Sequence, residues 1–440
     1  MPRTKRSVLV VVGTRPEAIK MVPVILALKQ SAHIDPVVVS TGQHTKLVAE
    51  VLGFFGVTPD VTLEIRDDER TLNGLFSAVM RGLSNFVAET YGDNPRSGAG
   101  AYNAVYPVAT LVHGDTSSAA AAALASFHLH IPVAHVEAGL RTSNTLSPFP
   151  EELNRQLISR IAVAHFAPTP NNAENLLREG VALGRILITG NTAIDALQLV
   201  AERKIRYGVP ELEELENDET RRVIVVTAHR RENWSGGIAR IAAAIRILAE
   251  SHVDDLFVVS LHPNPAVADV FRAELAGLNN VAMVRPLRYG IFARLLERAY
   301  IAITDSGGIQ EEAPALGTPV IVVRETTERQ EGVDAGTVKL VGTNTADIVT
   351  AAAELLDNVE AHNRQAGRTN PYGDGHAAER IMAACEHIAY RGDAPESLVT
   401  GFDRNVILRA AGYLEDPADV NSDGEVHMAH TLVGDLADNA

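Results

Sequence analysis

Residues 8–23 read VLVVVGTRPEAIKMVP, and the fold turns on this stretch. The apolar run Val8–Val12 is too short to span a membrane and has the character of a buried parallel strand. Pro16 suits the first helical position, where its missing N–H is not needed, and Glu17 suits the first turn. Arg15 therefore stands beside a helix N-terminus, whose free amides and positive dipole end favour an anion. Two readings fit: a site for a phosphate-bearing ligand, or a helix-start arginine solvated at the surface.

Working outward, the same strand, turn and helix pattern recurs. SVLVVVG, PVVVSTG, VATLVHGD and IPVAHVEAG form a first series; RRVIVVTAHRREN, LFVVSLHPNP, NVAMVRPL, YIAITDSGG, TPVIVV and VKLVG form a second after Gly190. This alternation marks parallel sheets. The expected class is α/β with two Rossmann-like, doubly wound domains at 1–190 and 191–371. A helix at 372–391 is expected to return to the first domain, followed by an acidic extension at 392–440 of unread role. ELEELENDETRR at 211–222 reads as a solvated surface helix or loop, and GDNPRSGAGAYN at 92–103 as a flexible loop.

Composition narrows the partners. The balance of 39 basic against 55 acidic residues gives a formal charge of −16, which argues against a general nucleic-acid or anionic-membrane surface. Any anionic ligand must be held by a local cluster. Only Lys5, Lys20, Lys29, Lys46, Lys204 and Lys339 are lysines; the other cations are arginine. An acid-rich, lysine-poor surface suits a protein that stays soluble in high salt. Cys385 is the sole cysteine, so no internal disulfide forms. MPRTKR followed by VLVVV imitates a signal peptide, but the apolar part is too short. The expected location is cytoplasmic.

In such sheets, ligands bind at the carboxyl ends of the strands. The groups placed there are Arg15, Gln43 with His44, Asp115 and Glu137 in the first half, then His229, His262 and Ser306–Gly308 in the second. DSGGIQEEAPALG, 305–317, carries the clearest phosphate signal, since Ser306, Gly307 and Gly308 let backbone amides approach an oxyanion. Glu312, one turn deeper, would repel phosphate but could accept hydrogen bonds from two ribose hydroxyls. A glycine turn with an exposed glutamate is the plainer alternative. No GxxxxGK[ST] loop and no convincing GxGxxG accompanies it, which disfavours an NTPase or an NAD enzyme. VHGDTSS, HVEAGLRTS and PFPEELNRQ supply Asp115, Glu137 and Glu151, with Arg155 four residues after Glu151. Singly these are caps or surface ion pairs; together at a sheet edge they suit acid and base roles. His229 precedes two arginines and suits a diphosphate contact, while His128 and His130 read as structural. No HExxH or paired Cys/His spacing points to a metal.

GTRPEAIK, TGQH, VHGD, HVEAGLRT, PFPEELNR, ITGNTAID, AHRREN, DSGGIQEEAPALGTPV, TTER, AGTVKLVG and NPYGDG, in this order from about Val8 to Gly375, resemble the non-hydrolysing UDP-N-acetylglucosamine 2-epimerases. The resemblance implies the fold of the B-type glycosyltransferases with the active site in the cleft between the domains. It implies interconversion of UDP-N-acetylglucosamine and UDP-N-acetylmannosamine for polysaccharide biosynthesis, without an added cofactor, through elimination of UDP to 2-acetamidoglucal and re-addition. It also implies a homodimer. Arg15 and Lys20 match basic positions near the reacting end, and Asp115, Glu137 and Glu151 the acid/base carboxylates. His229, Phe292, Ser306, Gly307, Gly308, Glu312 and Arg329 match positions that bind the diphosphate and uridine, and Arg155 joins the substrate-binding candidates.

The departures are Leu287 for a glutamine near the uracil and Gln330 for a proline. Many bacterial members are activated by UDP-N-acetylglucosamine bound beside the active site, through a second glutamine after TGQH and an Arg-Gln pair in RQTL. Lys46 and Glu69-Arg70 stand there instead. A glycosyltransferase of the same fold, a hydrolysing epimerase and a nucleotide-sugar sensor remain the rival readings.

Overall fold

The structure is a computed structural model that describes residues 5–92, 106–142, 144–201, 203, 205–390 and 402–410. The expected loop lies outside the described residues beyond Gly92, and of the C-terminal extension only 402–410 are described.

The described chain divides into two compact units, one built from the residues up to Asp195 together with those from Gly375 onward, the other running from Ala196 to Asp374. The strands of the first are β1 (Arg6–Val12), β2 (Ile34–Ser40), β3 (Val61–Thr62), β4 (Ala109–His113), β5 (Val133–Val136), β6 (Ala164–Ala167) and β7 (Ile186–Ile188). They form one parallel sheet in the order β3-β2-β1-β4-β5-β6-β7. Val8, Leu9, Val10 and Val12 of β1 are wholly buried. A central strand covered on both faces needs apolar side chains at every position, which is why the run is unbroken. Each such side chain contributes about 1.5–3 kcal/mol by leaving water. The order reverses between β1 and β4, so the connections that leave these two strands diverge and open a crevice at their carboxyl ends.

The second unit repeats the plan with β8 (Val223–Thr227), β9 (Leu256–Ser260), β10 (Val281–Val284), β11 (Ile301–Thr304), β12 (Val320–Val322) and β13 (Val338–Leu340). Its parallel sheet has the order β10-β9-β8-β11-β12-β13, with the reversal between β8 and β11. Two doubly wound Rossmann-like sheets are therefore present. No helix among the described residues is long and apolar enough to cross a membrane.

The helix Ala377–Tyr390 packs against the helix Arg15–Gln30 of the first unit and buries Ile381, Ala384 and Cys385. Asp195 fixes its start by accepting the Ala378 N–H at 2.7 Å, and Arg380 Nη1 donates to the Thr189 carbonyl at 2.9 Å. The segment at 211–222 is less solvated than its charge suggests. A 3₁₀ helix, Pro210–Glu216, buries Leu212 and Leu215 beside Tyr207. Residues three apart eclipse in a 3₁₀ helix, so the two leucines form one apolar edge while the acids between them face outward.

Candidate active site

At the end of β1 the chain turns through Gly13 and Thr14 into the helix that begins at Arg15. Gly13 is obligatory: a Cβ there would lie 2.2 Å from Ser118 Oγ and 2.6 Å from Thr41 Oγ1. Glu17 folds back beneath the turn. Its Oε2 accepts the Gly13 and Thr14 N–H groups at 2.7 and 2.6 Å, and its Oε1 accepts the Thr116 hydroxyl at 2.5 Å. Burial raises this carboxyl to about 7, even though all of those hydrogen bonds favour the ionised form. Glu17 thus ties the turn carrying Arg15 to the turn that follows Asp115. Arg15 itself is half-buried and makes no ion pair with a described residue.

Three carboxylates lie on the other turns of this edge. Asp115 follows β4 and receives Nε and Nη2 of Arg155 at 2.9 and 2.6 Å. Burial raises its carboxyl; Arg155 opposes that, and the charges of Glu137 and Glu151 reinforce it. Asp115 therefore feels both other carboxylates. Glu137 follows β5 with φ of 61°, a left-handed conformation that a non-glycine residue holds at about 1–3 kcal/mol. Lys20 Nζ binds its Oε1, His113 Nε2 lies 3.4 Å from its Oε2, and Asn191 Nδ2 is 3.4 Å from Oε1. Glu151 opens the helix Glu151–Ile161, and its Oε2 is buried with no hydrogen-bond partner. A buried carboxylate oxygen without a donor is unfavourable in the unliganded fold and suits a group that awaits substrate.

Arg155, expected at the substrate, is paired within the fold. Besides Asp115 it gives Nη1 to Glu152 Oε2 at 3.0 Å, and Glu152 is wholly buried. Its guanidinium is thereby engaged with two carboxylates and sits as a brace for Asp115.

In the second unit the organising residue is Asp305, wholly buried at the end of β11. It accepts the His229 N–H at 2.9 Å, the Arg230 N–H at 2.9 Å and Asn233 Nδ2 at 2.9 Å, which shapes the loop after β8. His229 Nδ1 lies 3.3 Å from Asp305 Oδ1. Burial lowers the proton affinity of His229 against the pull of Asp305, and the ring stacks parallel to His262 at 6.1 Å. Ser306 stands at the N-cap position of the nine-residue helix Gly307–Ala315, without a hydrogen bond from its side chain to the helix amides. A Cβ on Gly307 would meet Arg329 Cζ at 3.0 Å, so the glycine admits the guanidinium against the first turn. Arg329 is held there by Glu311 at 2.9 Å and Glu328 at 2.7 Å. Although burial opposes ionisation, Arg329, Arg324 and Arg230 hold Glu328 down to about 2. Glu312 Oε1 would lie 3.6 Å from a Cβ on Gly308, which places its carboxylate beside that glycine. Phe292 packs half-buried between two apolar clusters.

Sequence reasoning passed over Glu17 as a site group, and with it His113 and Asp305. For Glu17 the signal was present: Thr14-x-x-Glu17 is the spacing of a capping box. For Asp305 it was an acid directly after a buried strand. His113 carried no signal of its own.

Comparison with known proteins gives the family. The family model for UDP-N-acetylglucosamine 2-epimerase matches residues 26–386. A UDP-N-acetylglucosamine 2-epimerase of Yersinia pestis is 43% identical over 86% of this chain and 98% of its own. The crystal structure of the Neisseria meningitidis UDP-GlcNAc 2-epimerase bound to UDP-GlcNAc superposes with a TM-score of 0.74 at 40% identity, covering 86% of this chain and 99% of that one. MurG of Acinetobacter baumannii, 14% identical with a TM-score of 0.52 over 86% of this chain and 98% of its own, shares the fold alone, which is glycosyltransferase-B-like. The chain belongs to the UDP-N-acetylglucosamine 2-epimerase family.

Proposed function

We propose that this protein interconverts UDP-N-acetylglucosamine and UDP-N-acetylmannosamine without hydrolysing them and without an added cofactor. The observation that carries the reading is the gathering of Asp115, Glu137 and Glu151 at one sheet edge, where Asp115 senses the charges of both others. Inverting C2 requires a proton to leave one face of the sugar and another to arrive on the opposite face, which calls for more than one acid/base group. In the forward step the C2–H and C1–O bonds break, a carboxylate takes the proton, UDP departs with the electron pair, and C1 and C2 become doubly bonded in 2-acetamidoglucal. Re-addition of UDP at C1 with protonation of the other face of C2 gives the epimer.

The C2 hydrogen has no carbonyl beside it, so departure of a stabilised diphosphate must assist its removal. Arg15, His229 and the amides at Ser306–Gly308 suit that task, Glu312 suits the ribose hydroxyls, and Phe292 and Arg329 complete the uridine side. Arg155 positions Asp115 by a hydrogen bond from Nε and an ion-pair contact from Nη2, and Lys20 holds Glu137.

The test is to incubate purified protein with UDP-N-acetylglucosamine alone in deuterated water. UDP-N-acetylmannosamine carrying deuterium at C2 is expected. Product that retains its C2 protium refutes the elimination route, free N-acetylmannosamine with UDP makes the enzyme a hydrolysing epimerase, and no reaction without a sugar acceptor favours a transferase.

A further inference from the structure

Resting on the reading of Glu137 as an acid/base group, we infer that His113 is a positioning residue for it: the imidazole stands against Oε2 while Lys20 holds Oε1, and a long contact of this kind tightens into a hydrogen bond when substrate closes the site. His113 closes β4 in register with Val136, the residue before Glu137. The strand pairing therefore brings the ring to the carboxylate from beneath, with Nε2 at 3.4 Å from Oε2.

Packing does not account for an imidazole at this position. His113 is 3% exposed, and neither ring nitrogen has a partner of hydrogen-bonding geometry. A leucine would fill similar space without burying two unmatched polar atoms, so the ring is retained against the interest of the fold. Burial pushes its proton affinity down to about 4; Glu137 pulls it up and Lys20 pushes it further down. At neutral pH the ring is uncharged and offers one N–H. Behind it, His135 is likewise kept neutral, at about 3, with Nε2 at 2.7 Å from the Gly114 carbonyl. Of the other charged groups of this edge, Asp115 interacts with Glu137, and it also feels Arg155 and Glu151.

The backbone adds a reason for a second anchor. With φ at 61°, Glu137 has its Cβ direction fixed, but Lys20 and Asn191 both engage Oε1. Gly114 leaves room on the Oε2 side, where a Cβ would come within 3.4 Å of that oxygen. Removing the imidazole takes away one contact at Oε2, and a reacting oxygen displaced by a fraction of an ångström lowers the rate steeply.

The experiment compares His113→Leu and His113→Gln in the full chain with wild type. The leucine variant should lose about tenfold or more in kcat, with KM for UDP-N-acetylglucosamine within about twofold. It should also move the acid limb of the kcat/KM profile to higher pH, because Glu137 loses a nearby donor. Glutamine, whose Nε2 reaches a similar place, should restore most of the rate and the profile. A leucine variant with wild-type kcat and pH profile overturns the inference.

If the leucine variant fails to fold, wild type and Glu137→Gln are compared by NMR with isotopically labelled histidine. His113 should show the Nε2–H tautomer and a resonance that moves when the Glu137 charge is removed; an Nδ1–H tautomer or an unmoved resonance overturns the inference. Wild type that does not epimerise refutes the proposed function, whereas active wild type beside an indifferent His113→Leu refutes only the role of His113.

Discussion

Glu17→Gln should make this protein more stable at alkaline pH. Glu17 is 3% exposed and takes two backbone N–H groups and the Thr116 hydroxyl. Its carboxyl rises from 4.5 to about 7 because burial outweighs those donors. A raised folded-state value means that the folded protein binds a proton the unfolded chain has already released. The contribution is therefore fully present below pH 4.5 and is lost as pH climbs towards and through about 7. At roughly 1.4 kcal/mol per pH unit, the ionised carboxylate costs the fold about 3 kcal/mol.

A glutamine matches the same partners: its carbonyl accepts from Gly13 and Thr14, and its amide donates to Thr116 Oγ1. The variant should equal wild type near pH 4 and exceed it by up to about 3 kcal/mol at pH 8, roughly 5–10 °C in Tm for a unit of this size. Thermal melts of both proteins across that range give the answer. Parallel Tm curves, or a variant that falls further behind wild type as pH rises, would refute the argument that ionised Glu17 is held at a cost.

Asp115→Asn and Glu137→Gln should each lower turnover by about a hundredfold or more while leaving UDP affinity nearly unchanged in calorimetry; an equal loss of UDP binding would make them structural. A surface of 55 acids with six lysines should gain from screening, so Tm should rise as potassium chloride approaches molar levels, and a Tm that falls with added salt would remove the high-salt reading. UDP-N-acetylmannosamine should be converted with no lag and no added UDP-N-acetylglucosamine, since Glu69 is engaged by Arg81 and Arg66 at 2.7 and 3.0 Å and Gln43 by Ser118 at 2.7 Å. A reverse reaction that stays silent until an activator is supplied would contradict this.

The sheets were legible where a strand is a long apolar run. β1, β4, β8 and β11 stood out because central strands bury both faces. In the first unit β3, β6 and β7 did not: β3 has two residues and β7 three, while β6, AHFA, carries a buried histidine that interrupts the pattern. Asp115, Glu137 and Ser306 were legible for a related reason, since a polar residue one or two positions after such a run must lie at the sheet edge.

What the chain hides is partner choice. Arg155 stands four residues from Glu151, and helical spacing invites that pair; the guanidinium instead takes Glu152 on its own helix and Asp115, which follows a strand forty residues earlier. Glu69 shows the same limit. Its immediate neighbour Arg70 is the obvious neutralising cation, yet Arg70 pairs with Asp67 and Glu69 with Arg66 and Arg81. Arg81 lies on the helix Leu72–Tyr91, which begins just past Glu69 and returns over it. Gly74 permits that approach, because a Cβ there would sit 2.7 Å from the Glu69 backbone. An acid that looks free to repel a diphosphate is thus already neutralised by the fold. This internal pairing of Glu69 and Arg70 is why a reverse reaction independent of activator is expected, with no need for charge repulsion.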